Sequence, residues 1–197
     1  MKDYISCAIR YKWIDRINNI LRQCLFHRIY QKHILQYNNS IAIHLKNDGT
    51  AEFGGDTDLL KAVAAGVCDI TLANTYYFGR LGQSENAKDR EVYNKVALFW
   101  PNQAEGERGA HVNVSGIGLT ASATNIDNAK LLVEYLTNHE SQVWYADVNN
   151  EYPVVEGVAP PKSLQPFGEF KADSMSLSVL GDNNRQAVEM MDAAGWK

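Results

Sequence analysis

Two neighbouring tyrosines in the phrase Asn74-Thr-Tyr-Tyr-Phe-Gly-Arg80 are the residues of this chain best suited to chemistry. They follow a short apolar run, 69–73, that reads as a buried strand. Successive residues on a strand face opposite ways, so Tyr76 and Tyr77 can converge only where the strand has ended. Asn74 and Thr75 supply that ending, and a turn or helix start there brings both rings to one mouth. Ligands of open α/β sheets collect at the carboxyl ends of strands. A pair of phenols at such a place suits a hard, highly charged cation. Trivalent iron favours anionic oxygen donors, and coordination removes a phenol proton that is otherwise lost only near a pH of about 10. Spacing alone leaves a second reading open, in which Tyr76 and Tyr77 are amphipathic aromatics covering a helix end.

Other reactive side chains have weaker settings. His111 and His139 lie far apart, and His111 sits in a strand-like run beside Arg108, a structural position. Ser115 in Val-Ser-Gly-Ile-Gly lacks the first glycine of a nucleophile elbow. Gly116-Ile-Gly118 is too short for a dinucleotide loop. Glu151, Glu156 and Glu169 have loop-like surroundings and read as solvated. Cys7, Cys24 and Cys68 are an odd number at no metal-ligand spacing, which predicts buried thiols without a disulfide framework. No catalytic residue emerges, and the chain does not read as an enzyme.

The elements that must position the tyrosines alternate between helix and strand, a pattern of an α/β layered fold. Asp56 is placed to cap a helix through Leu59, Leu60, Ala62 and Val63, closed by Gly66. The strand 69–73 follows. A polar helical stretch, 84–95, leads to a second strand over 96–100, stopped by Pro101. Residues 111–119 read as a third strand. Asn125 opens a helix in which Ala129, Leu132, Val133 and Leu136 share a face, and 141–148 form another. Pro153, Pro160, Pro161 and Pro166 mark an extended traverse, and a last helix over 184–194 is capped by Gly195.

A compositional seam lies near residue 49. Residues 1–48 hold eight Lys/Arg against three Asp/Glu, while the remainder holds eleven against twenty, so net charges of +5 and −9 adjoin. All fourteen glycines fall at or after Gly49. Within the first part Ile5, Ile9, Trp13, Ile17, Leu21 and Leu25 recur at a four-residue step, which predicts an amphipathic helix, and 40–45 alternates like a short strand. Residues 1–48 are therefore expected to form a segment apart from 49–197. The overall charge of −4 leaves no footprint for nucleic acid, and no apolar run reaches the roughly 20 residues of a membrane helix. Met1-Lys-Asp-Tyr-Ile-Ser-Cys7 lacks the apolar stretch and cleavage site of a signal peptide.

From Gly54 onward the sequence resembles the periplasmic ferric-iron-binding proteins that serve ABC importers, above all the tyrosine-rich cyanobacterial type. The resemblance is carried by Gly54-Gly-Asp-Thr-Asp58, Ala62-Val-Ala-Ala-Gly66, Ala73-Asn-Thr-Tyr-Tyr77, Phe99-Trp-Pro-Asn-Gln103, Arg108-Gly-Ala-His-Val-Asn-Val-Ser-Gly116, Asn149-Asn-Glu-Tyr-Pro-Val154 and Gly195-Trp-Lys197, in the family's order over about three quarters of the chain. It implies a class-two periplasmic-binding α/β fold, truncated to the second lobe and the strands returning to the first. It implies ferric iron as the transported ligand, Tyr76 and Tyr77 as its ligands, and an ABC-type membrane permease as partner, in the periplasm. Asn74 and Asp56 match positions that touch a synergistic anion in some relatives. A carboxylate at 56 repels an anion, so an anion-independent site is expected. The family's upstream ligands have no counterpart here, since Tyr30 and Tyr37 stand in no matching context, and Tyr152 reads as structural. The rival readings are a truncated product without function and a receptor of the same fold for a polyamine or an oxyanion.

Overall fold

The computed structural model describes residues 2–10, 55–67 and 69–193. The chain divides into two compact units, Met1–Tyr11 with Gly55–Ala172, and Lys12–Gly54 with Asp173–Lys197. In the first, strand β1 (Lys2–Arg10) lies between β2 (Ile70–Asn74) and β3 (Val96–Phe99), and β4 (Val112–Val114) pairs with its beginning. All three partners run antiparallel to β1 and hence parallel to one another. The register sets Asn74 opposite Ile5, Phe99 opposite Cys7 and Val114 opposite Lys2. The carboxyl ends of β2, β3 and β4 thus gather at the end of the sheet where β1 starts.

Residues 2–10 overturn part of the sequence reading. The helix expected to begin at Ile5 is a strand there, and its pairing with three others means that the seam at residue 49 does not separate these residues from the sheet. The remainder of that expected helix, the strand over 40–45, Tyr30, Tyr37, Gly54, Cys24, Cys68 and the closing 194–197 lie outside the described residues.

Helix α1 (Asp56–Ala65) buries Leu60, Ala62 and Val63 and stops at Gly66, whose φ of 82° is a left-handed conformation that glycine adopts without a Cβ clash. Helix α2 (Thr75–Gln83) follows β2 without a loop. Helix α3 (Ala87–Lys95) is capped by Asn86, whose side chain accepts from the Lys88 N–H at 3.0 Å. Helices α4 (Ile126–Leu136) and α5 (His139–Asn149) are joined at Asn138, which caps α5 by accepting from the Ser141 N–H at 2.8 Å.

Leu60 and Val63 of α1, Ala73 of β2, Phe78 and Leu81 of α2, Val96 of β3, and Trp100, Tyr152 and Leu164 form the core. Full burial of one such large apolar side chain is worth roughly 1.5–3 kcal/mol. The traverse 150–172 closes over this core through polar anchors. The Tyr93 hydroxyl donates to the Ser163 carbonyl at 2.6 Å, and Trp100 Nε1 donates to the Phe167 carbonyl at 3.1 Å. Phe170 stacks on Trp100 with centroids 3.8 Å apart. Such anchoring is expected of amphipathic rings, whose polar atoms need partners once their bodies are buried.

Three expectations change in detail. The strand expected over 111–119 holds only at Val112–Val114, and residues 115–120 are exposed. Asp56 does not cap α1: it is the first helical residue, and its carboxylate is engaged elsewhere. The last helix, α6 (Leu177–Ala193) in the second unit, starts seven residues earlier than expected.

Candidate metal centre

Strand β2 buries Thr71 and Ala73 and ends at Asn74, which adopts extended backbone angles and stands at the N-cap position of α2. Helix α2 buries Thr75, Phe78, Gly79 and Leu81, so one face is committed to the core and Tyr76 and Tyr77 are left half-buried at its first turn. Phe78 fixes that orientation, stacking on Tyr93 at 4.7 Å and meeting Phe167 edge-on at 5.3 Å.

Asn74 makes no side-chain cap bond to its own helix. Its backbone N–H and its Nδ2 both donate to Asp56 Oδ2, at 2.7 and 2.9 Å. An ionised carboxylate only accepts, so this pairing assigns the amide: Nδ2 faces Asp56, and the buried Oδ1 faces away without a partner. The bond joins the amino-terminal ends of α1 and α2. Both ends carry a partial positive charge, which favours anionic oxygen nearby.

Helix geometry turns successive side chains by 100°, yet the rings of Tyr76 and Tyr77 meet with centroids 4.2 Å apart at an interplanar angle of 36°. Arg80 closes the cluster. Its guanidinium carbon stands 5.1 Å from the Tyr76 centroid and 5.7 Å from that of Tyr77. It lies four residues after the first tyrosine and three after the second, the two spacings that share a helix face.

The structure therefore brings together all four residues singled out from sequence: Tyr76 and Tyr77 at the first turn of α2, and Asn74 with Asp56 immediately before it. The sequence signal of Arg80 is its spacing from each tyrosine, four residues from Tyr76 and three from Tyr77. Among the described residues no group of three or more His, Cys, Asp or Glu side chains is placed to hold a metal ion. His111 is buried, in keeping with a structural position. Glu151, expected in solvent, is instead buried and accepts from the Ser115 hydroxyl at 3.3 Å, while Glu156 and Glu169 are exposed.

No family model matches the chain. It is 43% identical over 144 residues to iron uptake protein A2 of Synechocystis, a match covering 73% of this chain and 42% of that protein. It is 27% identical over 138 residues to the major ferric iron-binding protein of Neisseria meningitidis serogroup B, covering 70% and 40%. The chain thus spans about two fifths of the length of the curated relatives it matches. The Trichodesmium protein IdiA (FutA), solved in complex with iron and citrate ligands, superimposes with a TM-score of 0.80 at 35% identity, covering 100% of this chain and 69% of that one. The apo FutA2 structure from Synechocystis gives a TM-score of 0.78 at 28% identity.

Proposed function

The chain belongs to the family of periplasmic ferric-iron-binding proteins, and from that premise we propose that it binds ferric iron as the substrate-binding component of an ABC transport system. Over the part it spans its fold is the class-two periplasmic-binding-protein fold. The iron is cargo, held by the phenolate oxygens of Tyr76 and Tyr77 and handed to a membrane permease from the periplasm. No reaction is involved and no residue acts as a catalyst. Asp56 and Asn74 stand behind the ligands and do not recruit an anion, because the Asn74 Nδ2 donor is spent on a carboxylate whose charge repels one. The same carboxylate argues against an oxyanion receptor on this fold.

The observation that carries the reading is the cluster of Tyr76, Tyr77 and Arg80 at the positive end of α2. Two phenol rings meet there and a cation faces both, so negative charge that develops on their oxygens is stabilised. Ferric nitrilotriacetate added to the chain is expected to produce a visible tyrosinate-to-iron charge-transfer band. Replacing Tyr76 and Tyr77 together by phenylalanine removes only the two oxygens and is expected to abolish it. A band that survives the double substitution places the iron elsewhere.

A further inference from the structure

The phrase Asn149-Asn-Glu-Tyr-Pro-Val154 has no part in the metal centre, yet its members reach three separate parts of the chain. Tyr152 packs edge-on against Trp100 with centroids 6.2 Å apart, and Glu151 accepts from Ser115 beyond β4. Asn150 is the unusual member. It is 1% exposed, terminates α5 in a left-handed conformation at φ 61°, and donates its N–H to the Ala146 carbonyl at 3.0 Å. Its Nδ2 donates to Gln83 Oε1 at 3.2 Å at the end of α2, and its Oδ1 accepts from the buried Ser163 hydroxyl. The contact surface on α2 is Gly79, two residues past Tyr77. A methyl group added there would lie 2.8 Å from Asn150 Cβ, 2.8 Å from Ser163 Oγ and 2.9 Å from Asn150 Oδ1. Ordinary van der Waals contact begins well beyond such distances, so α2 sits against Asn150 as closely as a glycine permits.

We propose that Asn150 is a positioning residue for the tyrosine helix: wedged against Gly79 and bridging Gln83 and Ser163, it sets where the first turn of α2 presents Tyr76 and Tyr77, a role that rests on the iron-binding reading only for what the phenols do. Helix α2 has nine residues and one core face. Phe78 and Leu81 hold that face down, but apolar contacts alone allow a short helix to slide and roll by fractions of an ångström. A steric stop at Gly79 with a directional bond at Gln83 removes both freedoms. Asparagine suits the place twice over, since it tolerates the left-handed backbone that ends α5 and carries one donor and one acceptor for two different partners.

The two sides of the stop can be changed separately and together. Asn150→Gly keeps the left-handed backbone accessible and deletes the wedge; Gly79→Ala pushes α2 off it. Each single substitution in the full chain is expected to speed amide hydrogen exchange in α2 about tenfold, the scale of one lost hydrogen bond, while α3 amides keep their protection. Each is also expected to shift the iron charge-transfer band. In the double variant the alanine methyl enters the space that Asn150 leaves, the Ser163 hydroxyl turns aside once its bond to Asn150 is gone, and both readouts move back toward those of the unchanged chain. Wild-type α2 exchange and an unmoved band in Gly79→Ala overturn the proposal, as does a double variant no better than the sum of the singles. If the unchanged chain shows no band with iron, the iron reading fails, and α2 exchange in the three variants then supports or overturns the positioning role by itself.

Discussion

Arg80 is exposed, yet its guanidinium faces two phenols at once. A cation over an aromatic face at an exposed site is worth about 0.5–1 kcal/mol, and its attraction grows as the ring oxygen becomes anionic. Arg80→Met keeps the aliphatic stem and removes the charge. It is expected to weaken ferric iron binding about fivefold in competition with nitrilotriacetate, with a smaller difference in high salt, where exposed charges are screened. Equal affinities at low salt would remove Arg80 from the site. That the Tyr76 and Tyr77 rings meet was legible in the sequence, because a strand that has just ended is the place where adjacent side chains can converge. Arg80 and Asp56 were harder. The spacing of Arg80 gains meaning only once Thr75 is known to be the first helical residue. A helix cap and a bond to another element call for the same residue type, so only the distance from Asp56 to Asn74 tells them apart. Gly79 and Asn150, 71 positions apart in sequence, carry no sequence signal of their contact at all.

Strand β1 carries a residue spacing that fits two kinds of element. Ile5 and Ile9 are four residues apart, which fits one turn of helix, but four is also two strand repeats, and Cys7 completes the alternation between them. The other interpretation prevails because β2 and β3 each leave an edge that needs a partner. The backbone of Ala8 is opposite Thr71 on one side and Leu98 on the other. Ala8→Pro removes a ladder donor from a strand paired on both sides and is expected to cost about 3 kcal/mol or more in urea unfolding. Retained stability would mean that β1 is not needed by the sheet. At the rim of α3, Asp89 accepts from the Ser84 hydroxyl at 2.9 Å and pairs with Lys61 of α1 at 3.3 Å. The Ser84 hydrogen bond, and then Lys61, hold the Asp89 carboxyl below its ordinary value of 3.8. Its folded pKa lies under its unfolded one, so the stabilisation is present above the ordinary value and lost as pH falls through the lowered one. Asp89→Asn is expected to lower the neutral plateau slightly and to flatten the profile in that acidic window, meeting the parent chain at lower pH. An acid limb identical to that of the parent chain would show the contact to be idle.

For the chain as a whole, composition located a seam and the sheet crosses it, because amino-acid usage records what a segment is made of and not which edge it pairs with. Core burial is likewise uneven in the first unit. Among the helices, α1 and α2 carry fully buried side chains, whereas α4 has no buried residue and α5 buries only Ser141, Gln142 and Ala146. The face expected on α4 from Ala129, Leu132, Val133 and Leu136 is only half-buried, and Leu132 is exposed. The large apolar residues of these two helices point outward instead, with Leu131 at 61% exposure, Tyr135 at 63% and Trp144 at 56%. Apolar patches of that kind draw partners, aromatic side chains dominate the energetics of such contacts, and a net charge of −4 over 197 residues opposes self-contact only weakly. The isolated chain is therefore expected to associate with itself at micromolar concentration, its mass in sedimentation rising with loading. Leu131→Glu combined with Trp144→Glu places a charge among the exposed apolar side chains of each helix and is expected to weaken association at least about tenfold, since each truncated anchor is worth about 1 kcal/mol or more. Both side chains are exposed, so the unfolding free energy of the monomer in urea is expected to stay within about 0.5 kcal/mol of the parent. If the double variant associates as before, the outward faces of α4 and α5 are not the contact. A fall in monomer stability would instead mean that these residues are covered in solution by the chain's own fold.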